Sequence, residues 1–175
     1  MIRLACEADI PQVTAIYERL HDKEARGAGT TGWIKGVYPT EATAREALEK
    51  RELFVLEQEG SILAAAKLNQ DQVPEYALCT WSANPPEGEI MVLHTLVVDP
   101  EAGGKGLGSD FVAFYEQYAL EHGCRYLRMD TNEKNLPARR LYQKLGYREM
   151  GIVPCEFNGI PGVQLVCLEK ILEAD

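Results

Sequence analysis

The sequence lacks any long apolar run, and its first residues do not form a basic segment followed by an apolar one. A membrane-spanning helix needs about 20 apolar residues in succession, and a secretory signal needs both of those segments. We therefore expect no membrane partner and a cytoplasmic location. The 175 residues, 46% hydrophobic and 26% charged, predict a single globular domain over residues 1–175.

Closely spaced cysteines are also absent. The five cysteines are scattered and odd in number, which predicts neither a disulfide framework nor a zinc site, so we expect no metal. Three of them could be proposed as nucleophiles, but no pairing with histidine and aspartate supports such a role. These three are Cys79, Cys124 and Cys155.

Positive charge is scarce in this chain. Lysine and arginine number 18 against 27 aspartates and glutamates, which gives a formal net charge of −9. Nucleic-acid binding depends on clustered lysine and arginine that neutralise phosphates, so the composition argues against a nucleic-acid partner. A cationic or amine-bearing partner is electrostatically easier, whereas an anionic ligand needs local positive charge.

The most informative stretch runs from residue 91 to residue 109. An apolar segment rich in β-branched residues ends at Pro100, and a loop with four glycines follows, at positions 103, 104, 106 and 108. This pattern predicts a strand, a turn and the start of a helix. Glycine lets the backbone approach an anion, and the helix start directs free N–H groups towards the same point. The alternative is an ordinary flexible turn.

Two familiar nucleotide-binding motifs do not fit this loop. A Walker A loop needs Ser or Thr directly after Gly104-Lys105, and a dinucleotide fingerprint needs glycine at position 109, where the chain has Ser109. The remaining pattern is Val98-Asp99-Pro100, three residues, then Gly104-Lys105-Gly106-Leu107-Gly108. It resembles the pyrophosphate loop of the GNAT superfamily of acyl-CoA-dependent N-acetyltransferases. Gly103 stands where that family usually has Arg or Gln, so one side-chain contact to the cofactor is absent.

A second segment, residues 130–147, resembles the other diagnostic motif of the same family. In that motif Asn, Ala, Leu-Tyr and Leu-Gly-aromatic follow the fifth strand. Two signatures in the right order, about thirty residues apart, are much more specific than either one. The matching positions are Asn135, Ala138, Leu141, Tyr142, Leu145, Gly146 and Tyr147.

The order of predicted elements is strand, two helices, three strands, helix, strand, helix and two strands. It includes a mobile loop over residues 21–36, a short strand at 126–129, and final strands at 147–153 and 163–169 joined by a loop at 158–162. The order agrees with the GNAT fold, an α/β (α+β) architecture with a mixed, mostly antiparallel sheet of about seven strands and about four helices. The resemblance implies that strands four and five splay apart at a bulge and hold acyl-CoA between them.

The resemblance also implies which residues bind the cofactor, acetyl-CoA. Backbone atoms of Leu96, Val97 and Val98 would face the pantetheine amides, and Asn135 would orient the pantetheine arm, cap the next helix, or do both. Lys105 adds positive charge at short range. The loop that would hold the diphosphate comprises Gly103, Gly104, Lys105, Gly106, Leu107, Gly108 and Ser109.

The chemistry of acetyl transfer needs a base, an oxyanion donor and an acid. A primary amine has a pKa of about 10.4 and must lose a proton before it attacks a thioester. A free backbone N–H on the splayed strand could stabilise the oxyanion, and a hydroxyl can return a proton to the leaving sulfur. The resemblance points to Tyr142 as this acid, with simple packing as the alternative. Glu89 is the first candidate for the base and His94 the second, unless they only flank or pack on the sheet.

We therefore predict an enzyme that transfers an acetyl group from acetyl-CoA to an amine of a small molecule or peptide, by direct attack in a ternary complex. One alternative is a non-catalytic acyl-CoA-binding or regulatory module, and another is an acyl-CoA hydrolase. Tyr142 favours an enzyme over a binder. The sequence leaves the oligomeric state open, although the resemblance allows a homodimer because members of this family often dimerise.

Overall fold

The computed structural model describes residues 1–174, which form one mixed sheet flanked by α-helices and short 3-10 turns. The strands are β1 (Ile2–Leu4), β2 (Leu53–Gln58), β3 (Ser61–Asn69), β4 (Ile90–Val98), β5 (Tyr126–Asn132), β6 (Arg148–Phe157) and β7 (Ile160–Ile171). The helices are α1 (Ile10–Ala25), α2 (Glu41–Glu49), α3 (Leu107–Glu121) and α4 (Leu136–Lys144). The predicted order of elements and the predicted fold class are confirmed.

The seven strands lie in the order β1-β2-β3-β4-β5-β7-β6, and the pair β4–β5 is parallel while the other pairs are antiparallel. Helix α3 makes the crossover between the two parallel strands. Its buried Phe111 and Tyr115 pack on one face of the sheet, and Val13 and Ile16 of α1 pack on the other. The central strands are therefore covered on both faces. Among residues 1–174, no helix is long and apolar enough to cross a membrane.

A bulge in β4 separates the two parallel strands. Ala65 of β3 pairs with Val97, but Lys67 pairs with His94, so β4 contains one extra residue across this interval. Thr95, inside the interval, has φ +52°. The pairing of β4 with β5 ends at Leu93 and Met129, just before the bulge. Beyond that point the strands part, as the resemblance implied, and the edge of β4 that faces β5 is left open.

The last two strands differ from their predicted boundaries. Phe157 pairs with Ile160, so only Asn158 and Gly159 form the turn, with φ +48° and +88°. Two positive φ values make a two-residue hairpin turn whose twist matches the strands, and Asn-Gly is a favoured sequence for it. The predicted loop at 158–162 was wrong because the Pro and Gly that follow the turn lie within β7.

Strand β5 also extends beyond its predicted end at Met129. Its polar residues 130–132 pair with Val166 and other apolar residues of β7. This tertiary pairing outweighs the low strand propensity of aspartate and asparagine. Helix α1 likewise continues to Ala25, so the loop predicted from residue 21 begins only after that residue.

The phenol of Tyr115 joins the two parallel strands just before they part. Its Oη donates to the carbonyl oxygen of Met91 on β4 at 2.6 Å and lies 3.2 Å from the carbonyl oxygen of Arg128 on β5. Tyr115 is fully buried in the core between α3 and the sheet. If the donor is removed, the buried carbonyl has neither water nor a protein group to bond, and this unsatisfied acceptor destabilises the folded state.

We predict that Tyr115→Phe lowers the free energy of unfolding by about 1–2 kcal/mol, measured by urea denaturation. The matched control is Tyr118→Phe on the same helix, because the hydroxyl of Tyr118 has no hydrogen-bond partner among the described residues. Its effect should stay within about 0.5 kcal/mol. Equal effects of the two substitutions would contradict the bridging role of the Tyr115 phenol.

Candidate active site

Two cavities meet where β4 and β5 part. The inner cleft, of about 90 Å³, lies between the strands and is bordered by Leu96 and by Tyr142 of α4. The outer cavity, of about 630 Å³, lies between the start of α2 and the loop that follows β3, and it includes His94. Thr95 and Asp130 line both cavities, so the two spaces adjoin at the point where the strands separate.

A third cavity, a groove of about 410 Å³, runs between the glycine-rich loop and α4. Leu96 and Tyr142 line both this groove and the inner cleft. Val98 borders the groove, whereas the side chain of Val97 packs into the opposite core, so only its backbone could reach a ligand. The whole predicted loop borders the groove: Gly103, Gly104, Lys105, Gly106, Leu107, Gly108 and Ser109.

The glycines of this loop meet different requirements. Gly104 and Gly106 have φ +80° and +73°, and an added Cβ would meet nothing within 4 Å, so backbone conformation alone requires glycine there. Gly108 allows close packing on Leu141, which would lie 3.2 Å from an added Cβ. Gly103 has φ −62°, which any residue adopts. Gly106 directly precedes α3, and this open loop with exposed helix N–H groups fits a diphosphate.

An ion pair fixes the start of the loop. The Asp99 carboxylate accepts hydrogen bonds from Arg19 Nε at 2.9 Å and Arg19 Nη2 at 2.7 Å, and from the Glu101 backbone N–H at 3.0 Å. Asp99 is only 7% exposed. The end of β4 is therefore tied to α1, and the loop begins from a defined position.

The loop before α2 lies across the inner cleft. Its residues 31–33 line the cleft, and the Thr30 hydroxyl donates to Asn135 Oδ1 at 2.9 Å. Asn135 also accepts from the Ala138 N–H and so caps α4. Trp33 packs edge-on against Tyr38, whose hydroxyl hydrogen-bonds with that of Thr95. These contacts connect the loop to β4 and to the start of α4.

Tyr142 stands between the groove and the inner cleft. Its side chain is 7% exposed and packs edge-on against Tyr147, with ring centroids 6.2 Å apart. Burial raises the pKa of Tyr142 above its ordinary value of about 10, so the phenol stays protonated at neutral pH. A protonated phenol therefore borders both spaces.

His94 faces the outer cavity and has a defined tautomer. Asn69 Oδ1 accepts from the Asp71 N–H, and Asn69 Nδ2 donates to Glu52, so the contact of 2.7 Å between His94 Nε2 and Asn69 Oδ1 requires a proton on Nε2. Its Nδ1 is then the acceptor. Burial lowers the pKa of His94 to about 4, so the imidazole is neutral at physiological pH.

Glu89 lies apart from all three cavities. It is exposed at the end of a short 3-10 turn, directly before β4. Thr95 is six positions further along the chain, roughly 20 Å away at the usual rise of a strand. The sequence predicted Glu89 near the start of the central strand, and the bulge that opens the cleft is at the other end of that strand. The structure does not bring Glu89 together with Tyr142.

Sequence reasoning missed Asp130. This carboxylate lines the inner cleft and the outer cavity, and Tyr76 Oη donates to its Oδ2 at 2.7 Å. Burial raises the pKa of Asp130 to about 6. A usable signal was present, because the polar run at 130–132 follows a buried strand parallel to the central one. The carboxyl ends of neighbouring parallel strands meet at the same edge of a sheet.

The family profile described as "Acetyltransferase (GNAT) family" matches residues 14–147. The chain belongs to this acetyltransferase family. The match includes the glycine-rich loop and Tyr142. Among residues 1–174 of this GNAT chain, no group of three or more His, Cys, Asp and Glu side chains is placed to hold a metal ion.

Curated relatives of this GNAT chain are also named as N-acetyltransferases. The uncharacterized N-acetyltransferase YhfO of Bacillus subtilis is 30% identical over 94 residues, which are 54% of this chain and 63% of that protein. A thialysine N-epsilon-acetyltransferase of Bos taurus is 32% identical over 75 residues, 43% of this chain and 44% of that one. The chain thus spans less than two thirds of the length of the curated relatives it matches.

Solved structures share the fold over nearly the whole chain. A GNAT-family acetyltransferase of Streptococcus agalactiae has a TM-score of 0.84 at 22% identity, covering 99% of this chain and 96% of that one. A putative acetyltransferase of Salmonella typhimurium, solved with its cofactor acetyl-CoA, has a TM-score of 0.69 at 19% identity and covers 100% and 95%. At these identities the likeness shows the fold.

We predict that Gly106→Val weakens coenzyme A binding by at least about tenfold, because valine is strained at positive φ and displaces the N–H groups before α3. Titration calorimetry with coenzyme A measures this change. Gly103→Ala is the matched control, since its backbone is ordinary and an added Cβ lies 3.6 Å from the nearest atom. If both variants bind as wild type does, the loop is not the diphosphate site.

Gly103 also offers a gain-of-function test. An arginine there should restore the contact that most of the family makes, and the conformation of Gly103 accepts a side chain without strain. We predict that Gly103→Arg lowers the dissociation constant for coenzyme A by about threefold to tenfold through charge-assisted hydrogen bonds. Gly103→Glu should raise it. Tighter binding by both variants would point to a change in loop rigidity instead.

Proposed function

We propose that this chain transfers an acetyl group from acetyl-CoA to an amine of a small molecule or peptide, by direct attack within a ternary complex. One observation carries the proposal: Tyr142 borders both the groove beside the glycine-rich loop and the inner cleft. A single phenol thus adjoins the space for a diphosphate arm and the chamber between the strands. The names of the relatives and the acetyl-CoA complex of the Salmonella protein agree with this choice.

Backbone groups would hold most of the cofactor, which supplies an activated acetyl thioester. The loop 103–109 and the first turn of α3 would hold the diphosphate. Backbone groups of Leu96, Val97 and Val98 on the side facing β5 would bond the pantetheine amides, because β5 has turned away there. Asn135 Oδ1 already accepts two hydrogen bonds, so its Nδ2 is the group that would contact the pantetheine arm.

The buried thiols support direct attack over a covalent enzyme intermediate. Burial raises the pKa of Cys155 to about 12 and raises that of Cys124 above its ordinary value. A cysteine nucleophile reacts as the thiolate, which such environments disfavour. Tyr142, in contrast, is already in the protonated form that a general acid requires.

The charges of the outer cavity favour an amine over water as the acceptor. The carboxylates of Glu46, Asp71 and Asp130 line this cavity, while Lys67, its cationic residue, lies 3.8 Å from Glu52. A cavity with this balance attracts a protonated amine. The inner cleft, at about 90 Å³, suits a small acyl group such as acetyl.

Incubation with acetyl-CoA and a panel of polyamines, amino acids, aminoglycosides and peptides tests the function, with free thiol as the readout and mass spectrometry of the products. We expect thiol release that depends on an amine and yields the acetylated amine. Thiol release without amine would identify a hydrolase. Binding of coenzyme A without turnover of any member of a broad panel would identify a regulatory module.

We predict that Tyr142→Phe lowers turnover by about a hundredfold or more, because the leaving sulfur loses its proton donor. The dissociation constant for coenzyme A should stay within about twofold of wild type. Tyr147→Phe is the matched control: its hydroxyl bonds Glu116 at 3.1 Å, and this variant should keep turnover near wild type. Equal losses of turnover and binding in Tyr142→Phe would argue for a packing role.

A further inference from the structure

The proposed reaction still needs a residue that removes a proton from the acceptor amine. An acceptor amine is mostly protonated at neutral pH and must lose a proton before it can attack. We propose that Asp130 is the general base that takes this proton. The inference rests on the proposed acetyl transfer and assigns a catalytic residue to it.

The position of Asp130 carries the proposal. Among the residues that line the inner cleft, Asp130 provides the one carboxylate, and Tyr142 lines the same cleft. Asp130 also lines the outer cavity, where the acceptor would enter. It lies one residue beyond Met129, the last β5 residue that pairs with β4. Asp130 therefore lies where an ammonium group in the outer cavity and a thioester in the inner cleft would come together.

One oxygen of Asp130 is anchored. Oδ2 accepts the hydrogen bond from Tyr76 Oη, and Tyr76 is itself 2% exposed and packed edge-on against Trp81. The carboxylate is thus held by a rigid partner, while Oδ1 remains to accept a proton from the substrate. Tyr76 serves as a positioning residue in this arrangement.

The environment of Asp130 suits a base. Desolvation raises its pKa to about 6, the hydrogen bond from Tyr76 lowers it, and the charge of Glu75 raises it. At pH 7 the group is mostly ionised, yet it is a stronger base than an ordinary aspartate. Other titratable groups interact electrostatically with Asp130 from the neighbouring elements. They are Tyr38, Tyr142, Cys155 and Cys167, and His94 shares the outer cavity with it.

The protons balance as follows. Asp130 takes one proton from R–NH₃⁺, and the freed lone pair forms the N–C bond at the acetyl carbon. The C–S bond then breaks with its electron pair on sulfur, and Tyr142 gives its proton to that sulfur. The excess proton on nitrogen returns to the Tyr142 phenolate, directly or through water. Asp130 releases its proton to solvent, so both residues end unchanged and the net products are amide, thiol and H⁺.

The two bases expected from the sequence fit this step less well. Glu89 lies outside the three cavities, at the paired end of β4. His94 lines the outer cavity but not the inner cleft, and its pKa of about 4 makes it a weaker base than Asp130. If Asp130 is the base, kcat/KM should fall as the pH is lowered through about 6; if His94 is the base, it should fall only near pH 4. The acidic limbs of the two pH profiles therefore differ by about two pH units.

The first experiment uses an amine that the wild-type chain acetylates. Asp130→Asn should lower kcat by about a hundredfold or more, with a smaller change in the KM for the amine, because a lost base affects the chemical step. Asp22→Asn removes an exposed carboxylate of α1 and is the matched control. A kcat within about twofold of wild type in Asp130→Asn, or a rise in KM alone, would overturn the proposal.

The second experiment measures the pH dependence of kcat/KM for the amine at saturating acetyl-CoA. Wild type should show an acidic limb near pH 6. Tyr76→Phe removes the bond that lowers the pKa of Asp130 and should move the limb to higher pH, whereas Glu75→Gln should move it to lower pH. These opposite shifts test the base without its removal, and coenzyme A calorimetry checks that each variant is folded.

The outcomes separate this proposal from the proposed function. If no amine is acetylated by wild type, the function fails. If wild type is active but its limb lies near pH 4 and disappears in His94→Gln, the function stands and Asp130 is not the base. A rate that rises without inflection up to about pH 10 would mean that the chain takes free amine from solution, which also overturns the role of Asp130.

Discussion

The extra residue of β4 between His94 and Val97 is the constraint on which the site depends. A parallel pair of central strands would ordinarily stay hydrogen-bonded along its length, with helices on both faces and no interior space. Here β3 keeps its pairing with β4 on both sides of the bulge, whereas on the other edge of β4 the pairing with β5 ends at Leu93 and Met129. The cleft is therefore a property of backbone register and does not need large side chains to hold it open.

The parallel direction of these two strands concentrates the chemistry at one edge. The chain leaves β4 into the glycine-rich loop and α3, and it leaves β5 into the Asn135 cap and α4, so two helix N-termini lie beside the same opening. Their N–H groups and dipoles supply positive potential locally. This explains how a chain with a formal net charge of −9 can offer a site for a diphosphate while its outer cavity keeps carboxylates for an amine.

The sequence was informative where function depends on local backbone chemistry. Gly104 and Gly106 were recognisable because positive φ requires glycine, and Tyr142 because it occurs at a fixed place in a helix motif. The positions of Asp130 beside the cleft and of Glu89 away from it were not predictable, because they depend on where the bulge falls and strand alternation cannot locate an inserted residue. Similarly, the turn at Asn158 and Gly159 was obscured because glycine and proline also occur inside the strand that follows.

Burial raises the pKa values of both Asp130 and Tyr142. The same shift would suit the two groups to different chemical roles. Low polarity disfavours the charged form of each group, so both pKa values rise. For the phenol, the rise only secures the proton that a general acid must carry. For the carboxylate, the rise to about 6 strengthens the base while leaving it mostly ionised at neutral pH. The Tyr76 hydrogen bond opposes this rise, so it lowers the pKa of Asp130 and favours the ionised carboxylate that a base requires.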